Sequence, residues 1–203
     1  MNTSPSCLPS TAVSAAATTT RAELRRRLVA ERLAMPSEAV ALFSEAICGH
    51  LLAAFPQLAS QVVGFCWPVK NEPDLRPALT QWMLSGGRAA LPVVVEENSP
   101  LAFRAWTPET RLEADRYGIP SPVEGDWLTP QALLLPVNGV DERGYRIGYG
   151  GGYFDRTLAA LAPRPLAIGV GFELARVADI NPEAHDMPLD ALVTEAGVRF
   201  FSA

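Results

Sequence analysis

The segment ALLLPVNGVDERGYRIGYGGGYFDRTLAAL, residues 132–161, governs the reading of this 203-residue chain. It predicts a buried strand from Ala132 to Val137, a glycine-rich loop, and a helical run from Asp155 to Leu161. Outward from it, short apolar β-rich runs predict strands at Gln61–Cys66, Ala89–Val95, Leu101–Trp106, Pro165–Phe172, Leu189–Thr194 and Val198–Phe201. Between them lie helical patterns. Thr20-Arg-Ala-Glu23 has the spacing of a capping box, and its helix runs to about Ala34, where Met35-Pro36 ends it. Ser37 is the next expected N-cap, for a helix to about Phe55. Pro73–Leu84 is helical in pattern and is stopped by Gly86-Gly87. Residues 107–130, rich in Pro, Gly and charge, are expected to form a long irregular connection of the kind that is often functional. Strands alternating with helices imply an α/β fold: a mostly parallel sheet with helices on both faces, in a single domain. The first nineteen residues read as a disordered tail, and 20–203 as one catalytic domain.

Composition narrows the function. Lys and Arg number 17 against 22 Asp and Glu, a formal net charge of −5. A nucleic-acid binder would carry a broad basic surface, so nucleic acid is not the expected partner. Cys7, Cys48 and Cys66 are odd in number and lack CxxC spacing, which argues against a disulfide framework or a zinc site and for a reducing compartment. No apolar run reaches the length expected of a bilayer span, and the first twenty residues lack the basic and apolar regions of a secretory signal. A cytoplasmic location without membrane contact is the expectation.

The glycine loop carries the chemistry. Glycines at 144, 148, 150, 151 and 152 leave backbone amides bare to a polyanion. Arg146 and Arg156 bracket them, and Asp155 follows at the start of a helix, whose positive dipole end favours phosphate. Amide donors, guanidinium forks and a possible magnesium ligand together suit a nucleoside triphosphate. The loop is neither a Walker A sequence nor a dinucleotide fingerprint.

Elsewhere, Arg21, Arg25 and Arg32 fall on one helical face and predict a local basic ridge. In Trp67-Pro-Val-Lys-Asn-Glu72-Pro-Asp74 the carboxylates suit either an amine-bearing substrate or the start of the next helix. Asp186 and Asp190 flank Met187-Pro-Leu, and either could join Asp155 at magnesium or serve turn chemistry. His50, on an apolar helix, is expected to be packed. Neither a Gly-x-Ser-x-Gly nor a Cys/His signature is present, which argues against a covalent hydrolase.

The stretch from Leu133 through Asp141-Glu-Arg-Gly-Tyr-Arg-Ile-Gly-Tyr-Gly-Gly-Gly-Tyr-Phe-Asp-Arg156 resembles the signature of the 5-formyltetrahydrofolate cyclo-ligase family. Arg21-x-x-x-Arg25, Trp67–Asp74, Tyr117-Gly-Ile-Pro-Ser-Pro122 and Asp186-x-x-x-Asp190 resemble further family segments, so the likeness spans roughly residues 20–195. It implies ATP-dependent, magnesium-assisted closure of 5-formyltetrahydrofolate, polyglutamylated or not, to 5,10-methenyltetrahydrofolate through a phosphorylated formyl intermediate, by a monomer. Carried over position by position, Arg146 and Tyr153 would be catalytic. ATP would be held by Arg21, Arg25, Arg146, Ile147, Gly148, Tyr149, Gly150, Gly151, Gly152, Tyr153 and Asp155. Trp67, Glu72 and Tyr153 would bind the folate, and Asp155 and Asp190 the metal. The chain departs from the family in having Arg21 for the usual lysine, Phe154 for a common tyrosine, and no aromatic residue just before Asp141. Rival expectations are a non-catalytic folate- or nucleotide-binding relative, and a sugar-phosphate or CoA-ester enzyme on a similar fold.

Overall fold

The computed structural model describes residues 19–201; the tail expected over 1–19 lies outside them apart from Thr19. In chain order the elements are α1 (Arg21–Leu33), α2 (Ser37–Ala54), β1 (Val62–Gly64), α3 (Arg76–Leu84), β2 (Arg88–Val93), β3 (Ala102–Trp106), β4 (Leu112–Ala114), β5 (Pro120–Pro122), β6 (Trp127–Leu128), β7 (Ala132–Pro136), β8 (Gly139–Val140), β9 (Arg146–Ile147), α4 (Tyr153–Ala160), β10 (Leu166–Val170), β11 (Ala191–Thr194) and β12 (Gly197–Phe200). The main sheet has the order β12-β11-β10-β7-β1-β2-β3-β6. Its five central strands, β11 to β2, are parallel, and β12, β3 and β6 join antiparallel at the edges.

The apolar alternation along the strands builds two cores. Leu134, Val63 and Ile168 meet Ile47 and Leu51 of α2 and Leu79 and Trp82 of α3 on one face. Leu133, Leu135 and Ala167 meet Leu158 of α4 on the other. With both faces covered, β7 needs no polar side, which is why it reads as an unbroken apolar run. α2 is, among the described residues, the one helix long and apolar enough to cross a bilayer, against the expectation of none. Here its apolar side covers the sheet, and its two glutamates, Glu38 and Glu45, are exposed. α1 lies apart from these layers. Its Leu24 and Leu28 pack on Ile147 and Ile180, beyond the carboxyl ends of the central strands.

Local chemistry sets the element ends. The capping box at α1 forms: Thr20 Oγ1 accepts the Glu23 amide at 3.2 Å, and Glu23 Oε2 accepts the Thr20 amide at 2.9 Å. Ser37 is not a cap; Pro36 precedes α2 and Ser37 is already helical. α3 starts at Arg76 rather than Pro73, because Asp74 accepts both the Arg76 amide (3.1 Å) and its guanidinium (2.7 Å). α4 starts two residues before Asp155, since Gly152 takes the left-handed conformation (φ 62°) as its N-cap. The 107–130 connection is more regular than expected, with β4 and β5 forming an antiparallel ladder and β6 extending the sheet edge. Two prolines in β5 hide it from a strand pattern, although an isolated two-strand ladder tolerates them.

Gly64, in the central strand β1, shows how closely the layers fit. A Cβ there would stand 2.6 Å from Leu133 Cδ2 and 2.9 Å from Phe103 Cε1. Gly64→Ala is therefore expected to cost about 1–3 kcal/mol through overpacking. Urea unfolding tests this; an unchanged midpoint would mean that these side chains yield freely.

Candidate active site

The chain leaves β1 for β2 through α3 on one face, and leaves β7 for β10 through α4 on the opposite face. Adjacent β1 and β7 therefore mark the point where winding reverses, and a crevice must open outside their carboxyl ends. A cleft of about 960 Å³ lies there, at the upper end of the usual range for ligand sites.

The glycine loop forms one wall. Arg25 Nε donates to the Gly148 carbonyl at 2.7 Å, fixing the loop against α1. Nothing lies within 4 Å of where a side chain on Gly148 would begin. Gly150 (φ 95°) lies against the Arg25 guanidinium, 3.4 Å from its would-be Cβ. α4 has no side-chain cap, so the loop ends in helix amides free for an anion.

Beneath this wall, buried Arg146 donates to Asp155 Oδ1 at 3.1 Å and to the Met187 carbonyl at 3.2 Å. The Met187 amide also donates to Asp155 Oδ1, at 3.1 Å. Asp155 Oδ2 accepts no hydrogen bond among the described residues and remains available. Arg21 forms a two-pronged ion pair with Asp186, which also accepts the Glu183 amide at 2.7 Å. Burial pushes the Asp186 carboxyl up, but Arg21 and the amide outweigh it, leaving it below the usual aspartate range. The Asp186 hydrogen bond in turn raises the Arg21 guanidinium.

The opposite wall follows β1. Lys70 and Asn71 both take left-handed φ (51° and 57°), making a tight turn that the Glu72 amide closes onto Val69. The turn buries Glu72, whose Oε2 accepts the Val69 amide at 3.0 Å. Its Oε1 accepts the Tyr149 hydroxyl at 2.6 Å. Burial raises the Glu72 carboxyl above its ordinary range, opposed by the Tyr149 hydroxyl, the Val69 amide, Arg32 and Lys70. Glu72 thus lines the cleft while Asp74 serves α3, which separates two roles the sequence left level. Trp67 lines the cleft with the Arg76 guanidinium over its ring, 4.6 Å from the centroid. Tyr153 joins Tyr117 by a 2.7 Å hydroxyl contact, closing one end. Cys66 is half-buried at the cleft, and burial pushes its thiol up, away from reactive thiolate.

The cleft therefore brings together Arg21, Arg25, Arg146, the glycine loop, Tyr153, Asp155, Trp67 and Glu72. Ile147 is buried beneath it, against Leu24 and Leu28. Asp190 is not brought in, a correction to the expected metal pair. It stands just before β11, at the amino end of a parallel strand, where Arg164 (2.8 Å) and the Ala167 amide (2.6 Å) hold it. Asp186, four residues earlier, reaches the cleft instead. The strand predicted at Leu189–Thr194 carried that signal, since ligands gather at the other end of parallel strands. The basic ridge is also shorter than expected. Arg32 turns inward, buried, and donates to the Lys70 carbonyl, Asn138 and Tyr149 at 2.8–2.9 Å. Tyr117 joins the cleft from the 107–130 connection, the segment whose length and composition point to function.

The model of the 5-formyltetrahydrofolate cyclo-ligase family matches residues 17–195. The chain belongs to that family. A 5-formyltetrahydrofolate cyclo-ligase of Mycolicibacterium smegmatis is 27% identical over 184 residues, 86% of this chain and 93% of its own length. One from Escherichia coli K12 is 29% identical over 150 residues, covering 70% and 82%. Among solved structures, the 5,10-methenyltetrahydrofolate synthetase of Aquifex aeolicus superposes with TM-score 0.76 at 30% identity, covering 90% of this chain and 93% of that one. The synthetase of Mycoplasma pneumoniae, at 20% identity and TM-score 0.72, shares the fold over 86% and 98%. Cyclo-ligase membership thus extends over both walls of the cleft, from Arg21 to Asp186.

Proposed function

We propose that the chain closes 5-formyltetrahydrofolate to 5,10-methenyltetrahydrofolate at the expense of ATP, releasing ADP and phosphate. The observation that carries this reading is the facing of a bare-amide glycine loop and a buried carboxylate across one cleft. One wall suits a triphosphate and the other a planar ring with paired donors.

The glycine-loop amides and the α4 N-terminus would receive the phosphates, with Arg21 and Arg25 clamping from α1. Glu72 would accept from the amino group and ring nitrogen of the pterin, and Trp67 and Tyr153 would wall its ring. The formyl oxygen attacks the γ-phosphorus, the bond to ADP breaks, and the oxygen becomes a phosphate ester. N10 of the same molecule then attacks the formyl carbon and gives up its proton to solvent, and phosphate leaves with the formyl oxygen. Both reacting nitrogens belong to one ligand, so the closing step depends on orientation, which Glu72 and the aromatic wall supply. Arg146 would face the charge developing on the transferred group.

The donor set fits magnesium through the uncommitted Asp155 Oδ2, while Asp186 in the same cleft has both oxygens paired with Arg21. A bound magnesium ion would supply charge neutralisation and alignment of the triphosphate. Magnesium is commonly held by one or two carboxylates plus phosphate oxygens and water. Its protein ligand would be Asp155, and Asp186 would join it once Arg21 turned from that carboxylate to the phosphates. The same reading has a monomer working in the cytoplasm on a free or polyglutamylated folate.

The test is near-ultraviolet absorbance of the methenyl product, formed from 5-formyltetrahydrofolate with and without MgATP. Product is expected only with MgATP. Folate binding without turnover would point to a non-catalytic relative, and binding of neither ligand would end the reading.

A further inference from the structure

Tyr149 belongs to the glycine loop by sequence, but its hydroxyl serves the opposite wall. It accepts from Arg32 Nη2 at 2.8 Å and donates to Glu72 Oε1 at 2.6 Å. The direct approach of Arg32 Nη2 to Glu72 Oε1 is 3.7 Å, beyond hydrogen-bond reach. Arg32 cannot close that gap, because Nε is committed to the Lys70 carbonyl and Nη1 to Asn138, each at 2.9 Å. Glu72 Oε2 is fixed by the Val69 amide. Among the described residues, Tyr149 alone therefore donates to Oε1.

We propose that Tyr149 is a positioning residue for folate: its hydroxyl relays the buried Arg32 to Glu72 and holds that carboxylate in the orientation that accepts the pterin. The proposal rests on the reading of the cleft given above. A phenol can accept and donate at once, and accepting from a guanidinium strengthens the proton it offers. Only one lone-pair direction of Oε1 is used, so a pterin donor can still bind there. The ring is kept in place separately, with the Lys70 ammonium 5.1 Å from its centroid, and a phenylalanine would retain that contact.

The groups facing Glu72 are Arg32 from α1, Lys70 from its own turn, Tyr149 from the glycine loop, and the Cys66 thiol. Burial favours the neutral acid, and the hydroxyl opposes it. Removing the hydroxyl lets the carboxyl climb further. The accepting form exists above the carboxyl pKa, so folate binding should fade on acidification at a higher pH in the variant than in wild type.

Tyr149→Phe is expected to raise KM for 5-formyltetrahydrofolate about tenfold near neutrality, and to move the pH midpoint of that KM upward. A merely packing role would raise KM equally at every pH, so an unmoved midpoint overturns the proposal. A second readout is the cycle with Glu72→Gln. If Tyr149 acts through Glu72, adding Tyr149→Phe to that background changes KM by less than about twofold; fully multiplicative effects overturn it. Should the phenylalanine chain not fold, Tyr149→Leu carries the same two readouts. Wild-type protein assayed alongside separates the layers: if it makes no methenyl product with MgATP, the underlying reading fails, whatever the variants do.

Discussion

Asp155→Asn is expected to lower methenyl formation by about two orders of magnitude and to raise the magnesium concentration that supports half-maximal rate. Asp155 does two jobs through two oxygens. Oδ1 receives Arg146 and the Met187 amide, and Oδ2 stands free at the cleft. Asparagine can keep one acceptor, but it removes the charge that both a metal ion and the buried guanidinium require. Arg146 would be left buried with a carbonyl and no counter-charge, at a stability cost of about 3 kcal/mol. The two losses separate experimentally. Initial rates across a magnesium series report the first, and thermal unfolding without nucleotide reports the second. A magnesium dependence like that of wild type would remove Asp155 from the metal site, even if the protein melted early.

Glu72→Gln is expected to weaken binding of 5-formyltetrahydrofolate about a hundredfold, the loss of two hydrogen bonds to a charged acceptor. ATP binding is expected to change far less, because Glu72 reaches the glycine loop only through the Tyr149 hydroxyl and not through the loop amides. Both carboxylate oxygens already accept from the protein, one from Val69 and one from Tyr149. An amide brings a donor to one of those places and disturbs the pair as well as the ligand. Calorimetry with each ligand alone checks this, and unchanged folate affinity would take the pterin away from Glu72.

Much of the site was legible because local rules are strong there. Five glycines within residues 144–152, just ahead of a helix, announce an anion loop, and Thr20 with Glu23 announces the first helix. The parallel sheet followed from apolar runs alternating with helices. What escaped depended on distances along the chain that no local pattern encodes. Helical spacing put Arg21, Arg25 and Arg32 on one face but could not say that one end faces the cleft and the other the interior. Arg32 is buried because Lys70, Asn138 and Tyr149 converge on it from separate segments. Asp186 and Asp190 look alike in sequence, and only the direction of β11 tells which reaches the cleft. The role of Tyr149 was hidden by its neighbours, since a residue among phosphate-loop glycines reads as part of that loop.

α1 is thirteen residues long and rests on the molecule through few apolar contacts, chiefly Leu24 and Leu28. Yet Arg21 and Arg25 reach the phosphate side, and Arg32 underlies the folate side. Both ligands would therefore lean on the same short strut, which is held to the molecule largely by those three arginines. Whichever arrived first would brace the strut for the other, so the two could help each other without touching and without any rearrangement of the sheet.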